Sequence, residues 1–373
     1  MSLKVLIAPQ EFKGTLTATQ AGEAIMRGFK SVHDTADVEV VPIADGGAGT
    51  VDVLLSANAG QVRSSAVTDP IGRPVQARWG LIDAGATAVI EMASASGLGL
   101  IQPDQRDPLC AHTWGTGELI RAALDAGAKR ILVGAGGSAT CDGGVGAAAA
   151  LGVLFLDEKG AQIPLGPRNL SRLAKIDRSG LDPRLASVKL EVLTDVRNPL
   201  LGEEGSARVY GPQKGADPDD VERLDSLLEQ LARVARHGSA QAHEAEAGAG
   251  AAGGLAFGLR AFCNAQLRRG FDVISEALGL FARVNECDLV ITGEGQLDTQ
   301  SAYFKGPYAL GRLARMQKKR VVLFAGAMLG GSSGVRDAFD EVIVVGKGGA
   351  VDPQRAAQQL EDAVARWAIR QSK

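Results

Sequence analysis

The stretch VEVVPIADGGAGTVDVLLS, residues 38–56, decides the fold. Residues 38–43 are dominated by Val and Ile and read as a strand, ADGGAGT at 44–50 is a glycine loop, and a helix runs on to about Ser56. The same unit precedes it. A short β run at 4–8 leads through Pro9 and a loop to Thr17 and Gln20, a capping-box pair. Ala21, Ala24, Ile25, Phe29 and Val32 then follow at helical spacing. Strand, loop and helix twice in succession is the grammar of a parallel sheet.

The far end of the chain repeats it. Residues 288–292 read as a strand, GEGQLD as a loop and about 303–317 as a helix, with further strands at 320–325 and 341–345. Asp352 and Pro353 cap and start a last helix that buries Ala356, Leu360, Val364 and Trp367. The two ends together predict one doubly wound, flavodoxin- or Rossmann-like parallel-sheet domain, assembled from residues 1–66 and 285–373. A large inserted α/β domain, 67–284, is expected between them. Its opening strands at 61–68, 75–82 and 88–92 read as a meander broken by the turn DPIGRP, before a helix at 116–125 and a strand at 130–133. Residues 131–156 contain one formal charge, Asp142, yet also seven glycines; this is strand, glycine loop, helix and strand rather than a membrane span. Asp217 and Pro218 open an amphipathic helix that stops at Gly238; the Ala- and Gly-rich segment 245–258 reads either as a linker or, over 251–259, as a tightly packed helix entered through a glycine turn.

Composition narrows the function classes. There are 48 Gly in 373 residues, well above the usual ~7 %. Collagen is excluded by the lack of a three-residue glycine period and by only 14 Pro. Disorder is excluded by 45 % apolar residues and nearly balanced charge. A net charge of −3 offers no basic field for nucleic acid. Cys110, Cys141, Cys263 and Cys287 form no CxxC pair and have no His at zinc-ligand spacing, so disulfides and structural zinc are not expected. The apolar run near the N-terminus is too short for a signal peptide, which predicts a cytoplasmic protein without membrane or nucleic-acid partners.

Five glycine loops fall where a strand is expected to end: 44–50, GAGGSATCDGG at 134–144, GPQKGA at 211–216, GAGAAGG at 248–254 and TGEGQLD at 292–298. Taken singly, each is as readily an ordinary tight turn. Five together, most carrying an acid or a lysine, point to a polyanion, because phosphate needs several backbone N–H groups converging and glycine permits the approach. Gly134, Gly136 and Ala139 formally match a dinucleotide fingerprint, but Ser138, Thr140 and Asp142 in the same loop suit phosphate with Mg²⁺ better. There is no Walker A motif; GxSxG around Ser332 has no His after it, so a hydrolase elbow is rejected. Asp45, Glu91, Asp195, Glu294 and Asp298 stand at predicted strand ends, where α/β sheets bind ligands. Lys13, Lys214 and Lys305 are the candidate cations, and no chemistry is assigned to the four histidines.

In order and spacing, APQEFKGTL, PIADGGAGTVD, IEMASASGL, GTGELI, GAGGSATCDGG, DVRNPLLG, YGPQKGA, GAGAAGG and ITGEGQLDTQS resemble the bacterial type I glycerate kinases over essentially the whole chain. The resemblance implies ATP-dependent phosphorylation of D-glycerate at its 2-hydroxyl, with Mg²⁺, on a flavodoxin-like domain carrying a large insertion. Motif by motif, it implies a site at Lys13, Asp45, Gly46, Gly47, Gly136, Gly137, Ser138, Thr140, Asp142, Asn198, Gln213, Lys214, Asp195, Glu294 and Asp298. Within that set Asp195 or Asp298 is expected to take the hydroxyl proton or hold Mg²⁺, the 138–140 loop to cradle phosphate, and Lys13 or Lys214 to neutralise charge. The sequence departs from the family pattern at Gln10 and Glu11 (PDSFK), Arg197 (DVDNPL), Gln296 (GEGRID) and Phe304. Another small hydroxy acid as substrate, a non-catalytic sensor, the 3-phosphorylated product and a homodimer all stay open.

Overall fold

The structure is a computed structural model that describes residues 2–237, 243–297, 306–328, 332–346 and 352–372. Its strands are β1 (Lys4–Ile7), β2 (Asp37–Val40), β3 (Gln61–Thr68), β4 (Pro74–Ile82), β5 (Thr87–Glu91), β6 (Arg130–Gly134), β7 (Leu154–Leu156), β8 (Lys175–Asp177), β9 (Lys189–Leu193), β10 (Gln266–Arg268), β11 (Leu289–Leu297), β12 (Arg320–Met328) and β13 (Glu341–Val344). The chain divides into two compact units: Met1–Asp45, Asp52–Ala57 and Gly270–Lys373 in the first, Gly46–Val51 and Asn58–Arg269 in the second.

In the first unit the strands pair in parallel in the order β2-β1-β11-β12-β13. Numbered along the unit's own strands this is 2-1-3-4-5, the flavodoxin-like doubly wound order, and the sheet is built from both ends of the chain as the β-loop-α grammar predicts. Thr17 caps the helix Ala18–Lys30 with both capping-box hydrogen bonds to Gln20. Asp352 accepts from the Gln354 and Arg355 amides at the head of Pro353–Gln371. These two helices pack together, with Gly28 so close that a Cβ there would lie 2.3 Å from the Glu361 carbonyl oxygen. Beneath them Phe29, Phe324 and Trp367 join the core, the last two rings edge to face with centroids 5.9 Å apart.

The second unit holds a mixed six-stranded sheet in the order β3-β4-β5-β6-β9-β10. The predicted meander is there, β3 to β4 to β5 antiparallel, while β5, β6, β9 and β10 run parallel. Register aligns Glu91 with Gly134 and Gly134 with Leu193, so three loops leave the sheet at one edge. The helices Trp114–Asp125, Pro218–His237 and Ala251–Cys263 cover the sheet's core with Phe155, Phe257 and Phe262. As the glycine turn suggests, the last helix is entered through Ala252, Gly253 and Gly254, all with positive φ. Among the described residues the four cysteines are free and no helix is long and apolar enough to cross a membrane.

One sequence reading is corrected by the sheet. GEGQL does not loop away after Thr292; β11 continues to Leu297, pairing Glu294 with Ala325 and Leu297 with Met328 on β12. Gly293 and Gly295 are strand residues whose missing side chains admit Phe12: a Cβ on Gly295 would lie 2.8 Å from the Lys13 amide nitrogen. Asp298, and the predicted helix start at 303, lie outside the described residues.

Candidate functional site

In the first unit the candidate residues gather at the carboxyl edge of the parallel sheet. The chain leaving β1 stays tied to β11: the Ala8 amide donates to the Ile291 carbonyl and the Gln10 amide to the Gly293 carbonyl. The Ile43 amide donates to the Pro9 carbonyl, which brings the 41–45 segment alongside. Gln10 then donates Nε2 to Asp45 Oδ2 at 2.8 Å. Glu294 is buried on β11 and Gln296 is exposed. Lys13 is exposed, its backbone fixed by the close approach of Gly295.

The second unit brings together the glycine loops. Gly46, with φ +93°, would place a Cβ 2.9 Å from the Leu193 carbonyl oxygen, one on Gly134 would meet the Gly46 carbonyl at 2.3 Å, and one on Gly136 the Gly47 Cα at 2.6 Å. Backbone therefore lies directly on backbone where β6 and β9 end, an arrangement only glycine permits. Glu91, at the end of β5, accepts from the Val51 amide at 2.8 Å. Ser138 is buried in an isolated bridge with Gly97, and Gly137 donates no side chain to the exposed turn beside it.

Other predicted residues have partners that the sequence conceals. Asp142 is buried, and its Oδ2 accepts from the Thr113 amide (2.8 Å), the Thr113 hydroxyl (2.9 Å) and the Gly146 amide (3.0 Å), while Oδ1 accepts from the Gly144 amide (3.1 Å). It anchors the loop from within. Lys214 is fully buried and donates Nζ to the Thr140 carbonyl at 2.7 Å. Burial pulls its pKa below the ordinary lysine range, opposed by the adjacent Cys141 and the Asp142 carboxylate. The Asn198 amide is likewise engaged, donating to the Glu204 carbonyl and accepting from Tyr210 Oη, both at 2.7 Å. Burial raises the Tyr210 pKa to about 12, so the phenol stays a donor. Asp195 is half-buried just past β9, and Gln213 and Arg197 are exposed. Thr113 and Tyr210 are hydrogen-bond partners of predicted residues that sequence reasoning missed; Tyr210 sits inside the quoted YGPQKGA motif, which was its only signal.

Each unit is thus an α/β sheet with parallel strands whose carboxyl ends lead into glycine-rich loops, the edge at which proteins of this class bind ligands. Comparison gives the family. A profile described as the glycerate kinase family matches residues 5–370. A glycerate kinase of Bacillus subtilis (strain 168) is 48 % identical over 333 residues, 89 % of this chain and 87 % of that one. A glycerate 2-kinase of Escherichia coli K12 is 43 % identical, with 87 % and 86 % covered. The crystal structure of a Salmonella typhimurium LT2 protein assigned as glycerate kinase 2 superposes with a TM-score of 0.87 at 42 % identity, covering 100 % of this chain and 99 % of that one. The chain belongs to the glycerate kinase family.

Proposed function

We propose that this chain transfers the γ-phosphoryl group of ATP to the 2-hydroxyl of D-glycerate. The observation that supports the reading is the close packing of main chain on main chain at Gly46, Gly134 and Gly136, which holds the glycine loops together where β6 and β9 end, the edge at which α/β sheets bind ligands. Gly47, Gly137 and the Ser138–Thr140 turn complete the phosphate cradle in that unit. Asp195 accepts the hydroxyl proton as the substrate oxygen attacks, or shares that task with Asp298. Lys13 offsets the substrate carboxylate or the transferring charge, and Asp45 and Glu294 accept hydrogen bonds from glycerate hydroxyls.

We infer that Mg²⁺ accompanies the nucleotide. Among the described residues no three His, Cys, Asp or Glu side chains gather as a ready-made metal cage. Mg²⁺ is ordinarily held by one or two carboxylates together with the nucleotide's phosphate oxygens, and Asp195, with Asp298, is the carboxylate pair proposed to hold it. Bound there, it supplies neutralisation of the charge that spreads over the phosphoryl oxygens.

A coupled ADP-release assay with D-glycerate, lactate and tartronate tests the substrate, and ³¹P NMR of the product distinguishes the 2- from the 3-phosphate. No turnover of glycerate sinks the proposal. Substitution of Asp195→Asn and Asp298→Asn is expected to slow turnover by at least about 10²-fold in one of them; full activity in both removes the catalytic assignment. A second reading, a kinase for a related hydroxy acid, is favoured by one feature: Gln10, where the family pattern has Asp, contacts Asp45 directly.

A further inference from the structure

The segment YGPQK, residues 210–214, reaches two strand-end loops at once. Tyr210 lies at the end of the helix Ser206–Tyr210, and Lys214 closes the single 3₁₀ turn Pro212–Lys214 that follows. From one end, the Tyr210 hydroxyl donates to Asn198 Oδ1 at 2.7 Å. Asn198 in turn accepts from the Gly250 amide through its carbonyl at 3.0 Å and donates Nδ2 to the Glu204 carbonyl. This holds the loop after β9, three residues from Asp195. From the other end, Lys214 Nζ donates to the Thr140 carbonyl at 2.7 Å in the loop after β6. The 248–254 loop closes the arrangement: the Gly143 amide donates to the Gly253 carbonyl, and a Cβ on Gly253 would sit 1.7 Å from the Thr140 carbonyl oxygen.

We propose that Tyr210 and Lys214 are positioning residues, a two-ended clamp that sets the 136–140 loop and the Asp195 loop in register for phosphoryl transfer. Lys214 acts through Thr140 and Tyr210 through Asn198; neither touches substrate. The geometry favours this over a direct electrostatic part for Lys214 because its side chain is fully buried and its ammonium is spent on a main-chain carbonyl. A charge meant for phosphate would have to leave both.

The inference rests on the glycerate kinase reading for its kinetic arm only. Variants Tyr210→Phe, Lys214→Met and Lys214→Arg, and the double variant Y210F/K214M, are measured by steady-state kinetics with ATP and glycerate, by thermal melting, and by hydrogen exchange without substrate. Y210F removes one oxygen. Its kcat is expected to fall about tenfold with KM for ATP within threefold, and exchange at the Gly250 amide to quicken at least fivefold. K214M is expected to raise KM for ATP about tenfold and to quicken exchange at Gly143 and Ala139. K214R is expected to fail as K214M does, because a longer side chain cannot occupy the same buried position. The double variant should lose less than the product of the single losses, since one clamp cannot be released twice.

An impaired K214M whose exchange at Gly143 and Ala139 matches wild type would overturn the Lys214 end in favour of direct charge contact. Y210F within twofold of wild type in kcat, with unchanged exchange at Gly250, overturns the Tyr210 end even if K214M does not fold. Wild-type protein inactive on glycerate defeats the activity reading instead, and leaves the exchange results to decide the clamp.

Discussion

Gln10 donates its amide to Asp45 across 2.8 Å, a contact between the loop after β1 and the segment after β2 that keeps the carboxylate oriented at the sheet's carboxyl edge. Exchanging the amide for a carboxylate of the same shape, Gln10→Glu, would set two acids at hydrogen-bond distance. Like charges so close raise the pKa of one partner. At acid pH the pair shares a proton and imitates the native contact; at alkaline pH both ionise and separate. The expected outcome is kcat/KM near that of wild type at about pH 5 and roughly tenfold lower by about pH 8. Parallel pH profiles for the two proteins would show it, and a constant ratio across that range would mean that Asp45 does not depend on Gln10.

Asp142 makes a different prediction because its buried carboxylate accepts four hydrogen bonds from the Thr113, Gly144 and Gly146 groups. Asp142→Asn keeps the volume but turns one acceptor into a donor facing the Thr113, Gly144 and Gly146 groups. It also removes the negative charge near Lys214. Hydrogen bonds to a charged group contribute about 1.5–3 kcal/mol each, and stranded donors cost more. A loss of about 3 kcal/mol or more in denaturant unfolding is expected. Unchanged stability with lost activity would instead mark the carboxylate as a ligand for substrate.

These two residues show where the sequence was legible. Local chemistry was readable: the Thr17–Gln20 capping box and the Asp352–Pro353 start both depend on neighbours within a few positions, and both are present. Parallel order was readable because strand, loop and helix alternate in register with chain order at both ends. Long-range claims on a side chain were not. Nothing around Asp142 announces that Thr113, 29 positions earlier, supplies two of its donors. Lys214 looks like any loop lysine until the fold encloses it. The extension of β11 was hidden for a related reason, since Gly293 and Gly295 are poor strand formers held extended by β12 and by space left for Phe12.

That space yields a further prediction. Gly295→Ala would put a methyl group 2.8 Å from the Lys13 amide nitrogen and equally close to the Phe12 Cα, against backbone rather than a yielding side chain. The 10–13 loop must shift to accept it. A misplacement on the order of 1 Å at a reacting group can cost about 10²-fold in rate, whereas overpacking of this size costs about 1–3 kcal/mol in stability. Kinetics should therefore suffer far more than melting temperature. Retained kcat/KM in a folded G295A protein would remove Lys13 from the working parts of the site.

Glu191 governs the acid limb of stability. It is fully buried on β9, and Arg130 (2.5 Å), Lys189 (2.9 Å) and Arg268 (3.0 Å) all contact its carboxylate. Burial alone would raise its pKa, but the Arg130 and Lys189 cations hold it below the ordinary glutamate value of 4.5. A depressed carboxylate pKa stabilises the fold fully above the unfolded value and loses that contribution as pH falls through the folded one. Glu191→Gln removes the charge at every pH. Its cost near pH 7 should sit at the lower end of the roughly 3–5 kcal/mol seen when a buried pair is broken, because the three cations are partly exposed and can regain water. The gap between wild type and variant should then narrow below about pH 4.5, where the unfolded chain takes up a proton that the native carboxylate still resists. Urea unfolding at about pH 7, 5 and 3.5 measures that gap, and a difference that stays constant down to the lowest pH would show that the three cations do not stabilise an ionised Glu191.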